Sequence, residues 1–250
     1  MEKYQDINAR TITNWITNGW EWGKPIGHLT YERAKKGDWD VVLTPTKAVP
    51  HAWFGSLQGK RVLGLASGGG QQMPIFAALG GICTVFDYTT AQLESERIVA
   101  EREHYAICIV QGDMSATLPF EDNSFDLIFF PVSNVYIEHA KPVFKECFRV
   151  LCSGGVLLSG LDNGVNFITD DQEQEILNSL PFNPLINPEQ RKQMEESDGG
   201  IEFSHTLDEQ IGGQLEAGFI LKDLYEDTNG EGRLHDLNIP TFFATRALKP

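Results

Sequence analysis

The stretch Lys60-Arg61-Val62-Leu63-Gly64-Leu65-Ala66-Ser67-Gly68-Gly69-Gly70-Gln71-Gln72 constrains this chain more than any other. Val62, Leu63 and Leu65 read as a short buried strand, three consecutive glycines allow a sharp turn, and Ile75, Phe76 and Leu79 recur at helical spacing. In an open parallel sheet a strand, glycine turn and helix bring a ligand against bare backbone at the carboxyl edge. Two common glycine loops fail on spacing. A triphosphate loop needs lysine where Gly70 stands, and a dinucleotide loop needs glycine or alanine where Met73 stands. A nicotinamide oxidoreductase is therefore disfavoured.

Further along, Asp87 ends the apolar run Ile82-Cys83-Thr84-Val85-Phe86, and Gln111-Gly112-Asp113-Met114 follows another strand-like run. Leu118-Pro119-Phe120-Glu121-Asp122-Asn123-Ser124-Phe125-Asp126 leads into a fourth, and Phe148-Arg149-Val150-Leu151-Cys152-Ser153-Gly154-Gly155-Val156-Leu157-Leu158 into a fifth. In this order and spacing the five stretches, covering residues 59 to 161, resemble the class I S-adenosylmethionine-dependent methyltransferases of small molecules. The resemblance implies a doubly wound α/β fold: a seven-stranded, mostly parallel sheet of order 3-2-1-4-5-7-6, the last strand antiparallel, helices on both faces and an N-terminal lid.

It also implies the cofactor, S-adenosylmethionine, and its contacts. Ala66, Ser67, Gly68 and Gly70 would follow the methionine part. Asp87 would accept from both ribose hydroxyls, with Tyr88 beside it. Asp113 would accept from the adenine amino group while Met114 packs on the ring, and Pro131 would close the edge after strand four. Two positions depart from the family pattern. Gly64 stands where an acid commonly helps to hold the cofactor's amino group, so another group must take that role, and Ala66 replaces a glycine, which fits if its φ is negative. These departures motivate a rival reading, a non-catalytic cofactor-binding sensor or interaction protein.

The pattern divides the chain into an aromatic arm or lid (1–58), a cofactor-binding core (59–161), an insertion or cap (162–204) and the rest of the sheet domain (205–250). All five tryptophans lie in the arm. Ile12, Trp15, Ile16 and Trp20 suggest a helix over 11–20, with a second over 29–35. Thr89 and Gln92 have capping-box spacing for a helix running to about residue 103. The insertion reads as an acidic helix over 170–180, a proline-rich connection and a helix over 189–196. A crossover helix is expected over 207–217, strand six over 219–225, a polar loop over 226–236 and strand seven over 241–247.

Reaction residues in such sheets sit at the carboxyl edge. The candidates there are His139, whose ordinary pKa suits a general base, Tyr136 after strand four and Asp162 after strand five. His28, His51 and His205 are further candidates by residue type alone. The edge lacks the Asn/Asp-Pro-Pro-Tyr/Phe pattern of methylases acting on nucleic-acid bases. A formal charge of −15 argues against nucleic acid and anionic membrane surfaces as partners and leaves a small-molecule acceptor. No metal site is expected. The four cysteines lack Cys-x-x-Cys spacing and read as buried or half-buried thiols. With no apolar leader in the first residues, a cytoplasmic location is expected.

Overall fold

A computed structural model describes residues 2–197 and 199–250. Among them the sheet has seven strands: β1 (Arg61–Leu65), β2 (Ile82–Asp87), β3 (Ile107–Gln111), β4 (Phe125–Phe130), β5 (Leu151–Asp162), β6 (Ile220–Asp227) and β7 (Phe242–Leu248). Their order is β3-β2-β1-β4-β5-β7-β6, as the resemblance implies. β7 pairs antiparallel with both β5 and β6, and the remaining pairs are parallel. Because both faces are covered, the central strands are continuous apolar runs whose period of two sends neighbours to opposite cores. Val62, Leu127, Phe129 and Leu158 pack with Phe54, Met73 and Phe76 on one face, whereas Leu63, Ile128, Phe130 and Leu157 pack with Val143, Phe144 and Cys147 on the other.

The helices are α1 (Tyr4–Thr17), α2 (His28–Lys35), α3 (Gln72–Ala78), α4 (Thr90–Glu103), α5 (Ala140–Val150), α6 (Pro188–Ser197), α7 (Gly213–Ala217) and α8 (Gly232–Asp236). Three differ from the sequence reading. α1 begins and ends earlier than the expected 11–20, because its first turns are anchored at long range: Asp6 accepts from Tyr88 Oη at 2.5 Å and Gln5 Nε2 donates to Asp113 Oδ2 at 3.0 Å. The crossover opens with a π-type turn over Asp208–Gly212 before α7. α8 stands within the expected polar loop, its Leu234 N–H donating to Glu173 Oε2 at 2.6 Å.

The expected helix over 170–180 is absent from that stretch, which is irregular apart from a bridge between Thr169 and Ile176. Asp170 Oδ1 accepts from the backbone N–H groups of Gln174 and Glu175, so the side chain competes with a helical hydrogen-bond ladder. Nor does the capping box form. The Thr89 side chain caps nothing, and Asp87 Oδ1 takes the Thr89 N–H at 2.9 Å instead. Cys83 and Cys147 are buried and Cys152 is partly covered, but Cys108, on edge strand β3, is exposed.

The arm crosses one face of the sheet, where Gly160 in the interior strand β5 makes room for it. A Cβ at Gly160 would fall 1.9 Å from Leu43 O, and that same oxygen accepts from Val132 N–H at 3.2 Å. Trp53 is 4% exposed and donates to Asp223 at 2.9 Å, and Trp39 stacks on His51 at 4.1 Å, so these two tryptophans anchor the arm. Among the described residues, no helix is long and apolar enough to cross a membrane.

Candidate active site

At the carboxyl edge of β1, β4 and β5 lies a cavity of about 590 Å³, roofed by Trp15, Trp20 and Trp22 of the arm and walled by the insertion. A narrow slot of about 60 Å³ adjoins it between β2, β3 and α1, lined by Tyr88, Asp113 and Met114. Ile12, Ala66, Asp87 and Tyr136 line both spaces and so mark their junction.

The glycine turn is held from below by the end of β2 and by α4. Gly68 N–H donates to Asp87 Oδ2 at 3.1 Å, Gly69 N–H to Gln92 O at 3.0 Å, and Gly70 N–H to Glu96 Oε1 at 2.8 Å. From above, Gly70 O accepts from Ile26 N–H at 2.9 Å, and a Cβ at Gly69 would lie 2.7 Å from Trp22 O. Gly70 is thus fixed behind the loop and does not line the cavity, unlike Ala66, Ser67 and Gly68. The condition placed on Ala66 is not met: its φ is +45°, in the left-handed region that disfavours a Cβ. Gly64 is filled from α3, since a Cβ there would stand 2.7 Å from Met73 Sδ.

Burial pushes the Asp87 carboxyl up to about 6, and N–H donors from Thr89 and Gly68 oppose this. Each of its oxygens accepts one backbone bond and keeps a further lone pair. Asp113 is more occupied: Oδ1 accepts from Ser115 N–H and Oγ, and Oδ2 from Gln5. Pro131 lines the larger cavity, and Tyr88 the slot.

On the acceptor side, Asn134 ties the tips of β4 and β5 together: its Oδ1 accepts from Asp162 N–H at 3.0 Å and its Nδ2 donates to Asp162 O at 3.2 Å. The Asp162 carboxyl, pushed by burial up to about 6, accepts from Gly164 N–H and Asn166 Nδ2. Tyr136 faces the cavity, its hydroxyl held neutral by burial and by the charges of Glu202 and Asp87. His139 lies elsewhere: its side chain is 69% exposed at the start of α5, 4.0 Å from Glu138 and Glu209, away from the cavity. His28 pairs with Glu103, His51 with Trp39 O and Asp40, and buried His205 donates to Asn134 O; none lines the cavity.

Three residues that matter here escaped the sequence reading. Gln92 lines the cavity with a buried Oε1 that has no partner among the described residues. Glu96 is completely buried, and burial pushes it up to about 8. Both sit on the inward stripe of α4 with Val99, and a polar residue at such spacing was the available signal. Glu202 lines the cavity between buried Ile201 and Phe203, an apolar–acid–apolar alternation that as a strand reads as an acid on the face opposite the core, with no signal of a cavity there.

Sequence comparison decides the family. A sequence model described as "Methyltransferase domain" matches residues 63–159. Over 249 residues the chain is 41% identical to "Uncharacterized methyltransferase YbaJ" of Bacillus subtilis (strain 168), covering 97% of each. The chain belongs to the class I S-adenosylmethionine-dependent methyltransferases. This methyltransferase is also 40% identical over 112 residues to the "Ubiquinone/menaquinone biosynthesis C-methyltransferase UbiE" of Ruegeria sp. (strain TM1040), a match covering 42% of this chain and 44% of that one. In fold it resembles an S-adenosylmethionine-dependent methyltransferase from Mesorhizobium loti, with a TM-score of 0.64 at 16% identity over 79% of this chain and 94% of that one.

The methyltransferase's residues suit the cofactor chemically. Asp87 keeps lone pairs for a diol at the junction of the two spaces, and Gln92 Oε1 is an orphaned acceptor beside the loop, where the carboxylate missing at Gly64 would otherwise serve. The match to the domain model ends at residue 159, so the arm and insertion that wall the larger cavity lie outside it.

Proposed function

We propose that the protein methylates a small organic acceptor held in the larger cavity, by in-line displacement across the junction formed by Ile12, Ala66, Asp87 and Tyr136. The observation that carries this reading is the position of Asp87, shared by the narrow slot of Tyr88, Asp113 and Met114 on one side and a roomy aromatic cavity on the other. When bound, S-adenosylmethionine supplies a methyl carbon made electrophilic by its sulfonium. Asp87 accepts from the ribose hydroxyls in charge-assisted bonds. Asp113 accepts from the adenine amino group through the capacity left on Oδ2, with Met114 against the ring and Tyr88 and Pro131 at the edges.

Ala66, Ser67 and Gly68 present backbone to the methionine part, and Gly70 holds the loop's shape. Tyr136 and Asp162 position the acceptor, and the tryptophan roof excludes water. Positioning supplies much of the acceleration in such a displacement. Calorimetric titration with S-adenosylhomocysteine tests the assignment: Asp87→Ala is expected to weaken binding at least tenfold, and an unchanged affinity in that variant would refute it.

A further inference from the structure

The walls of the acceptor cavity carry charge of one sign. Among the described residues, no lysine, arginine or histidine lines it, whereas Asp162 and Glu202 face it from within and Asp170, Asp171 and Glu173 stand on its insertion side. The outer acids are partly engaged: Asp170 accepts backbone N–H groups and Glu173 accepts from Leu234 N–H. Asp162 is 3% exposed and has its own donors. Glu202 has no hydrogen bond or ion pair among the described residues.

Its place is nonetheless fixed. On one side Ile201 exchanges two bonds with Asn8, Ile201 N–H donating to Oδ1 at 2.7 Å and Nδ2 donating to Ile201 O at 2.8 Å; on the other, Phe203 N–H donates to Val135 O at 2.8 Å. The flanking Ile201 and Phe203 side chains are 3% and 1% exposed in the core, so the surface Glu202 leaves open is that facing the cavity. A rigidly held carboxyl without a partner, in an enclosed wall, is stabilised by a ligand that brings a positive charge or donors. Burial and the neighbouring Asp162 push it up to about 8, as uncompensated negative charge in a confined site requires. Aromatic faces of Trp15, Trp20, Phe167 and Phe182 complete the walls, and such faces attract cations.

We propose that the acceptor is an organic amine with an apolar or aromatic body, its ammonium group received by Glu202 with Asp162 behind it and its body packed against the aromatic walls. This rests on the methyl-transfer reading above. On the loop side Gln92 Oε1 is a separate unpartnered acceptor that would serve the cofactor's own ammonium, which would leave Glu202 to the acceptor. The bound ammonium yields one N–H proton to the Glu202 carboxylate, which frees the nitrogen lone pair. That pair forms the N–C bond to the methyl carbon, the electron pair of the breaking S–C bond stays on sulfur, and the product nitrogen carries the positive charge. Glu202 then returns its proton to solvent. A carboxylate or phenolate acceptor would meet no cationic side chain among the described lining residues and is disfavoured.

The test uses the full chain saturated with S-adenosylhomocysteine, titrated calorimetrically with phenethylamine, tryptamine and histamine, and with 2-phenylethanol and 3-phenylpropionate as neutral and anionic counterparts. At least one amine is expected to bind tenfold or more tighter than both counterparts. Glu202→Gln should weaken that amine at least tenfold while changing the affinity for S-adenosylhomocysteine less than twofold. Equal or tighter binding of the alcohol or carboxylate, or no binding by any amine, overturns the proposal; this wild-type comparison decides the matter even if the variant does not fold. A variant that loses S-adenosylhomocysteine instead assigns the carboxyl to the cofactor and also overturns it. Methyl transfer to a neutral or anionic acceptor would remove this inference and keep the proposed function, whereas absence of S-adenosylhomocysteine binding would remove the proposed function and the amine's role as acceptor with it.

Discussion

Replacing Glu96 by glutamine isolates the cost of burying a carboxyl under the glycine loop. Glu96 is 0% exposed, accepts from Gly70 N–H through Oε1, and has no partner for Oε2 among the described residues. Burial moves it from an ordinary 4.5 up to about 8, with a smaller contribution from the charge of Asp87. The folded chain therefore keeps a proton that the unfolded chain releases. The stability this provides is fully present below about pH 4.5 and is lost as pH rises through about 8. Within that window the loss runs at about 1.4 kcal/mol per pH unit. Glutamine keeps the acceptor for Gly70 and does not titrate. The stability of Glu96→Gln relative to wild type should thus improve by about 3 kcal/mol between pH 5 and pH 8, whatever constant offset its extra N–H donors introduce. Urea denaturation of both proteins at pH 5, 6.5 and 8 measures this directly. Parallel pH profiles would show that Glu96 is ionised in the folded protein and sink the argument.

Three further substitutions probe the frame around the site. Ala66→Gly relieves a Cβ at φ +45° and should stabilise the protein by up to about 1 kcal/mol, with the greater freedom of glycine in the unfolded chain offsetting part of the gain; a loss of stability in thermal melts would contradict the strain. Gly64→Asp, which restores the acid common in the family, drives its Cβ to 2.7 Å from Met73 Sδ and should cost about 2 kcal/mol or more; an unchanged melting temperature would show that Met73 moves aside freely. Asn8→Ala removes both bonds to Ile201 and strands two buried backbone groups, so a loss of about 2–3 kcal/mol is expected; denaturant titration would refute this if the loss were negligible.

The central sheet was legible because its strands are short apolar runs between glycine and polar punctuation. β1 to β4 begin and end where Val62, Val85, Ile109 and Phe129 and their neighbours indicate. The placement of β7 between β5 and β6 came from the family resemblance, since periodicity says nothing about strand order. Long-range polar contacts were illegible. Gln5, Asp6 and Asn8 set the start of α1 through partners up to 193 positions away, and local spacing carries no trace of them. Asp170 failed for the opposite reason, its side chain capturing nearby N–H groups where acidic composition suggested a helix. Of the cofactor candidates, Ala66, Ser67, Gly68, Asp87 and Pro131 line the larger cavity and Tyr88, Asp113 and Met114 the slot, while Gly70 lies behind the loop. His139, chosen for its place at the carboxyl edge, is exposed away from the larger cavity, whereas Glu202, which lines that cavity, belongs to a segment outside the family match.

The departures at Gly64 and Ala66 have one structural explanation. With no side chain at Gly64, Met73 packs against the strand, and the first turn of α3 approaches β1 closely. That approach crowds the position a carboxylate would take, while on α4 Gln92 Oε1 lies buried beside the loop with no partner among the described residues. The same helix supplies Glu96 beneath Gly70, while the arm supplies Ile26 N–H above it. Because Ala66 holds an unfavourable φ, those contacts must be rigid enough to maintain it. Loop, α4 and arm therefore behave as one unit, and the tryptophan roof is coupled to the loop through Trp22 O over Gly69. Trp15 and Trp20, 5.3 Å apart, belong to the same arm as Trp22, so the roof of the larger cavity and the cover of the glycine loop are one segment of chain.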